Sequence, residues 1–410
     1  MKATIVIPSY WGRPSAEGHR EGDSVYDHPT PLDREGTLGR ALESISILDN
    51  RNFNVVVLAA ATAPDIAPRV EERVKDIVSS FESRFPVTCV SHSFEKKIIE
   101  HINRCSTPVA GRPGEKLVSL TGYSNIRNMC MIVAELARSE IAVLFDDDEV
   151  YEDADYLDNV FESMDSDYRG RTVGALAGYY LRPEGGYLIP PPEDYWLSEW
   201  PMAWAMNSAF SIIGEEPRLK PTPFVFGGNM CVHRDVFRSI AFDPNVRRGE
   251  DIDYLTNCKF FDIDFLLDNR LSILHLPPDK HMLTPWVQFR ENIYRFVYAR
   301  EKIRCQKPRE GMRMVSAEEL DPYPGECMKD NLEDLVFKTS VLMGLEYMRR
   351  GDADGYTESM RNIQLARYHA APAYDPYAWY LEFREDWVRM MEFLSSDERL
   401  SEEMLASMRR

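Results

Sequence analysis

Apolar residues first gather at positions 3–7, a run that closes on Pro8, Ser9 and Tyr10 and predicts a buried strand opening into a loop. A helix is expected over 37–49, a second strand over 54–61, a helix near 66–84 and a third strand over 87–93. A helix near 124–138 then leads into the apolar run 141–145, which passes without a break into Asp146, Asp147, Asp148 and Glu149. Strands alternating with helices in this way predict a parallel, doubly wound sheet covered on both faces. Ligands collect at the carboxyl ends of such strands. Two segments far apart in sequence, Pro8 to Tyr10 and the acidic tetrad, are therefore expected to meet at one crevice.

The pattern changes over 171–286 to short strands, aromatic-rich loops and proline clusters, ending in an apolar strand over 271–274 that His275 closes. Beyond position 283 it becomes helical and charged, with helices expected over 285–303, 330–350, 353–368 and 376–394. This tail reads as an extension that packs on the preceding domain or joins copies into a homo-oligomer. The segment 11–36 is rich in Gly, Pro, Asp and His and is longer than an ordinary strand-to-helix connection, the kind of loop that is commonly functional or mobile.

Composition adds exclusions. The chain has 410 residues, 44% hydrophobic and 28% charged, which suits an ordinary globular protein with a substantial core. No apolar run reaches the roughly 18 residues that a membrane span requires, and the first residues alternate like a strand instead of forming a secretory leader. A cytoplasmic location is expected. The seven cysteines, at 89, 105, 130, 231, 258, 305 and 327, show no zinc-type spacing and read as reduced core thiols. A formal net charge of -19 disfavours general nucleic-acid binding. An acidic protein that handles phosphates needs a local cation, so a divalent metal is the natural partner to seek.

The acidic cluster supplies the candidate. Asp146 and Asp148 flank one residue just past a strand, a spacing that can aim one carboxylate at a ribose and the other at a hard cation. A solvated acidic loop would look the same taken alone. Upstream, Gly122 to Asn128 opens a helix and offers Arg127 beside exposed backbone amides, an arrangement suited to a diphosphate or a carboxylate. Downstream, Gly227 and Gly228 permit close backbone approach, and Glu250 with Asp251 offers a general base. The bland reading of that acidic pair is a helix start with favourable charges, and it leaves the glycine pair unexplained. His275, with His281 as a weaker alternative, stands where a third metal ligand would be sought, although a lone histidine more often only packs. Trp196 and Trp204 could stack on a sugar, and Arg218 with Lys220 could meet an acidic acceptor; a packed hydrophobic loop explains the tryptophans equally well.

Together these segments resemble the family 2-like glycosyltransferases of GT-A fold. The likeness covers roughly residues 3–276 and rests on six pieces in order: IVIPSYW, GYSNIRN, FDDDE, GGNMCVHRDVF, RGEDIDY and the LHLPP histidine. Each is weak by itself, and their order carries the resemblance.

The resemblance implies a Rossmann-like nucleotide-diphospho-sugar transferase, a mixed α/β sheet flanked by helices. Its domain would span 1–285, with a nucleotide-binding half over 1–150 and an acceptor half over 151–285, followed by the helical C-terminal extension over 286–410. Pro8, Ser9, Tyr10, Arg127, Asp146, Asp147, Gly227 and Gly228 would bind a UDP-, GDP- or ADP-linked sugar. Asp148, Asp146 and His275 would hold Mg2+ or Mn2+. Asp251, with Glu250, would be the base that activates an acceptor hydroxyl; inversion is expected, with retention the open alternative because retaining GT-A families also carry the Asp cluster and a late histidine. The QxxRW signature of processive synthases is absent, Gln288 and Arg290 being the nearest approach, so transfer of one sugar to a soluble small acceptor is favoured. Two competing classes are a sugar-phosphate nucleotidyltransferase, whose glycine-rich signature is missing from PSYWGRPSAEG, and a non-catalytic nucleotide-sugar-binding protein.

Overall fold

In the computed structural model, residues 1–104, 109, 111–192, 194–278 and 284–408 are described. His281 and Cys105 lie outside them. The elements run β1 (Ala3–Gly12), β2 (Thr30–Pro31), α1 (Leu38–Ile45), β3 (Phe53–Ala61), α2 (Ala67–Ser79), β4 (Val87–Val90), α3 (His92–Arg104), α4 (Tyr123–Leu136), β5 (Ile141–Leu144), β6 (Glu149–Val150) and α5 (Tyr156–Met164). There follow β7 (Asp167–Tyr168), β8 (Arg171–Thr172), β9 (Ala175–Leu181), α6 (Met202–Phe210), β10 (Leu219–Pro221), β11 (Met230–His233), α7 (Arg234–Ser239), α8 (Glu250–Phe260) and β12 (Leu266–His275). The last five helices are α9 (Pro285–Arg304), α10 (Leu332–Arg349), α11 (Ala353–Tyr368), α12 (Pro376–Ser396) and α13 (Glu398–Ser407).

The main sheet has the order β10-β12-β9-β11-β5-β1-β3-β4. The half built from β4, β3, β1 and β5 is wholly parallel, as the strand–helix alternation predicts. The sheet as a whole is mixed, because β11 runs antiparallel between β5 and β9. The strands in between are buried on both faces, which is why they read as continuous apolar runs in place of alternating ones. Helices α1, α2 and α5 cover one face, and α4 and the later helices cover the other.

β1 continues to Gly12, past the expected stop at residue 7. Its pairing with β5 covers only Ala3 to Val6, while its pairing with β3 continues to Trp11. Pro8 therefore sits where β1 has an open side, and its missing N–H breaks no ladder there. The long loop after it is tied down. β2 returns to pair with Trp11 and Gly12, and Arg13 bridges Asp23 at 2.9 Å and Asp65 at 2.7 Å.

The extension shares a core with the sheet domain. Phe242 stacks on Tyr254 within that domain, and Phe260 meets Tyr377 of α12 edge-on at 5.2 Å. Trp387 of α12 donates its indole N–H to the Phe237 carbonyl at 2.9 Å. At the junction Lys302 of α9 is fully buried and reaches Asp243 and Asp253, each at 2.9 Å. The six described cysteines are unpaired. Among the described residues no helix is long and apolar enough to cross a membrane.

Candidate active site

The ends of β1, β5, β9, β11 and β12 border a crevice of about 300 Å³. Tyr10, Arg127, Asp146, Asp147, Asp148, Gly227, Glu250, Asp251 and His275 line it, so the segments singled out from the sequence converge. Pro8 and Ser9 do not line it. Ser9 lies beneath, fully buried, donating its hydroxyl to Asp147 at 2.6 Å while accepting from the Trp11 indole at 2.9 Å.

Arg127 projects from the first turns of α4 and is nearly enclosed. Its guanidinium donates to both oxygens of Asp146, at 2.7 and 3.0 Å, and its Nε lies 3.3 Å from Glu250. Asp146, expected as a metal ligand, is thus a fork partner of Arg127, a geometry that holds both groups rigidly. Such a pairing requires the glycines. A Cβ at Gly227 would come within 2.5 Å of an Arg127 nitrogen, and one at Gly228 within 2.2 Å of Glu149. Asn229, fully buried, binds the carbonyls of Tyr179 and Leu271 and stitches the neighbouring strands together.

Asp148 faces His275, whose Nε2 lies 3.3 Å from its carboxylate. Burial raises the Asp148 pKa, but His275, and then His28, overcome it and hold the carboxyl below its usual range. The His275 ring is fixed by stacking on Tyr180 at 4.9 Å, and Tyr180 stacks in turn on Phe226 at 4.4 Å. Asp147 behaves oppositely. Burial, together with the neighbouring Asp148 and Asp146 charges, pushes it up to about 8.

Among the described residues no group of three or more His, Cys, Asp or Glu is arranged to hold a metal ion. Of the expected triple of Asp148, Asp146 and His275, Asp148 meets His275 directly and Asp146 is held by Arg127. Two protein donors still fit Mg2+ or Mn2+, which keep waters and take further oxygens from substrate phosphates.

At the other end, Glu250 and Asp251 open α8 behind Gly249, whose φ of +73° suits glycine. Burial first, then the adjacent Asp251, raises Glu250 to about 7. Burial also raises Asp251, opposed chiefly by Arg295. The Tyr10 hydroxyl is buried without a hydrogen-bond partner in the crevice wall, a donor left for a ligand.

The acceptor candidates lie elsewhere. Trp196 is buried in the core and Trp204 is 63% exposed on α6, and neither lines the crevice; Met206 and Phe210 of α6 do. Arg218 is bound to Asp268 at 2.8 Å and Glu162 at 2.6 Å, and Lys220 to the carbonyls of Ile212 and Glu215, so both are structural ties. The sequence reading also missed Asp27 and His28, which the loop after β1 delivers to the crevice, and Arg295 and Tyr323, which come from the extension. The length of that loop was the one signal for the first pair, and the second pair had none.

No family model matches the chain, and no curated protein matches it. Among solved structures it is similar to the mannosyltransferase PcManGT from Pyrobaculum calidifontis in complex with GDP-Man and Mn2+, at 15% identity and TM-score 0.45, over 97% of this chain and 88% of that one. It is also similar to a mycobacterial protein, at 15% identity and TM-score 0.37, over 72% of each chain. A third likeness is to GalNAc-T7 with UDP, GalNAc and Mn2+, at 11% identity and TM-score 0.37, over 73% of this chain and 51% of that one.

Proposed function

We propose that the chain is a metal-dependent glycosyltransferase of GT-A type, moving a sugar from a nucleoside-diphosphate sugar to a hydroxyl of a small acceptor. The observation that carries this reading is the convergence, in one crevice at strand ends, of Asp148 facing His275 with Glu250 and Asp251. A crevice with a cation-ready end and a base-ready end suits group transfer between two bound substrates.

In this reading Asp148 and His275 would hold Mg2+ or Mn2+, with Asp146 kept in place by Arg127. When bound, the ion supplies Lewis-acid neutralisation of charge on the departing nucleoside diphosphate. Tyr10 and Gly227 line the donor end, where the free Tyr10 hydroxyl gives a hydrogen bond. Asp251 takes the proton from the acceptor hydroxyl as that oxygen attacks the anomeric carbon, and inversion follows from attack opposite the leaving group. Phe210, Phe224 and Phe226 give the crevice apolar surface on which a sugar face can rest.

The test is calorimetric titration of UDP, GDP and ADP with and without Mn2+, on the wild type and on Asp148→Ala. One nucleotide binding only with metal, and not to the variant, is the expected result. Binding indifferent to both would sink the reading. Products separate the alternatives: a transferase releases nucleoside diphosphate, a nucleotidyltransferase pyrophosphate, and a non-catalytic binder neither.

A further inference from the structure

The helical extension enters the crevice through two side chains, Arg295 of α9 and Tyr323 of the connection to α10. Arg295 lies across Gly249 so closely that a Cβ there would meet its Nε at 3.0 Å and its guanidinium carbon at 3.1 Å. The glycine thus serves two purposes, a left-handed turn into α8 and a bare backbone for the guanidinium to rest on. On its other sides the guanidinium lies 4.4 Å from the Phe296 ring centre and donates to the Tyr323 hydroxyl. Among the described residues Arg295 forms no ion pair with a carboxylate; resting on Gly249, two residues before Asp251, it shares the crevice wall with that acid.

We propose that Arg295 is a positioning residue, the counter-charge that sets Asp251 as the acceptor base, so that the C-terminal extension is an integral wall of the active site. This rests on the transferase reading for the role of Asp251 as base, but not for the pairing itself. The groups facing Asp251 are few. Glu250 precedes it on α8, Arg127 faces it from α4, Arg295 from α9 and the Tyr323 hydroxyl from the segment beyond, while the Ile252 and Gly227 amides donate to it. Burial drives Asp251 towards its neutral form, and Arg295 is foremost among the groups that oppose it. Without Arg295 the carboxyl holds its proton to higher pH and accepts none from an acceptor at neutral pH.

The experiment titrates carboxyl groups by 13C NMR in the full chain, the Asp251 signal being assigned by its loss in Asp251→Asn. Arg295→Met should move its midpoint upward, Arg295→Lys should restore much of the wild-type value, and Tyr323→Phe should give a smaller upward move. In turnover, the acid limb of kcat/KM should shift to higher pH in Arg295→Met, with a fall of about tenfold or more at neutral pH, within the range general-base loss produces. An unmoved Asp251 midpoint in folded Arg295→Met overturns the inference. If that variant does not fold, Arg295→Gln makes the same comparison. A midpoint that moves in a protein releasing no nucleoside diphosphate with any acceptor retires the transferase reading and leaves the pairing standing. Turnover with an unchanged pH profile in Arg295→Met retires the inference alone.

Discussion

Arg127 and Asp146 form a two-pronged ion pair, at 2.7 and 3.0 Å, in the wall of the crevice, and Arg127 also reaches Glu250 at 3.3 Å. One guanidinium therefore joins the two ends of the site. The arginine is 4% exposed, so the pair is shielded from water and its geometry is strongly held.

Removal of that arginine should be costly. Arg127→Met leaves Asp146 and Glu250 without their cation and is expected to lower stability by about 3–5 kcal/mol, as for other buried pairs broken on one side. Arg127→Lys keeps the charge but not the fork. Chemical denaturation should order the three proteins wild type, Lys, Met, and an unchanged midpoint for the Met variant would count against the pair.

His275→Ala should weaken Mn2+-dependent nucleotide binding while leaving the fold intact, since the ring is partly exposed and its ion pair is with Asp148. Loss of a single ligand typically costs at least the roughly 10- to 100-fold in metal affinity seen on altering outer-shell partners. Mn2+ binding followed by electron paramagnetic resonance reads this directly.

Gly228→Ala should disrupt the site without removing any charged side chain. Its Cβ would lie 2.2 Å from the Glu149 Oε1 and 2.7 Å from the Asp146 carboxyl carbon, so the Arg127–Asp146 fork must shift. Nucleotide affinity should fall by an order of magnitude or more, given how steeply such constellations depend on placement. Calorimetry that shows unchanged affinity would mean that the acidic cluster moves freely.

Asp147 predicts a pH dependence of stability. Its folded-state pKa of about 8 stands above the ordinary aspartate value of 3.8, because burial, and then Asp148 and Asp146, disfavour the anion. Between those values the folded protein keeps a proton that the unfolded chain has released. The resulting stability is complete below about pH 4 and is lost as pH rises through about 8. Asp147→Asn carries no such proton, so in EDTA its melting temperature relative to wild type should climb across that interval. A constant difference would refute the assignment.

Lys302→Met should loosen the extension from the sheet domain. It strands Asp243 and Asp253, which are 0% and 5% exposed, and a loss of about 3–5 kcal/mol is expected. Thermal unfolding and limited proteolysis of the region beyond α9 will show it.

Much of the site is written in local sequence. An apolar run that ends in Pro8, Ser9 and Tyr10, and another that ends in the Asp tetrad, specify buried parallel strands by hydrophobicity alone. Strand ends in such a sheet all open on one edge, which is enough to bring Tyr10 and Asp148 together. The glycine pair, the acidic start of α8 and His275 were legible for the same reason, as breaks in otherwise regular patterns.

What the tertiary structure decided concerns partners. Nothing local announced that Arg127 forks onto Asp146; sequence offered Arg218 to a substrate, and it is bound to Asp268 and Glu162. Nothing in the pattern of residues 285–304 announced that Arg295 lines the crevice with Asp251, because the side of α9 that carries it is set by how Phe289, Phe296 and Val297 enter the shared core. Hydrophobic periodicity is a short-range signal, and it fixes elements and their ends. Which charges meet is set by the docking of those elements, across separations at which one sequence carries no periodic signal.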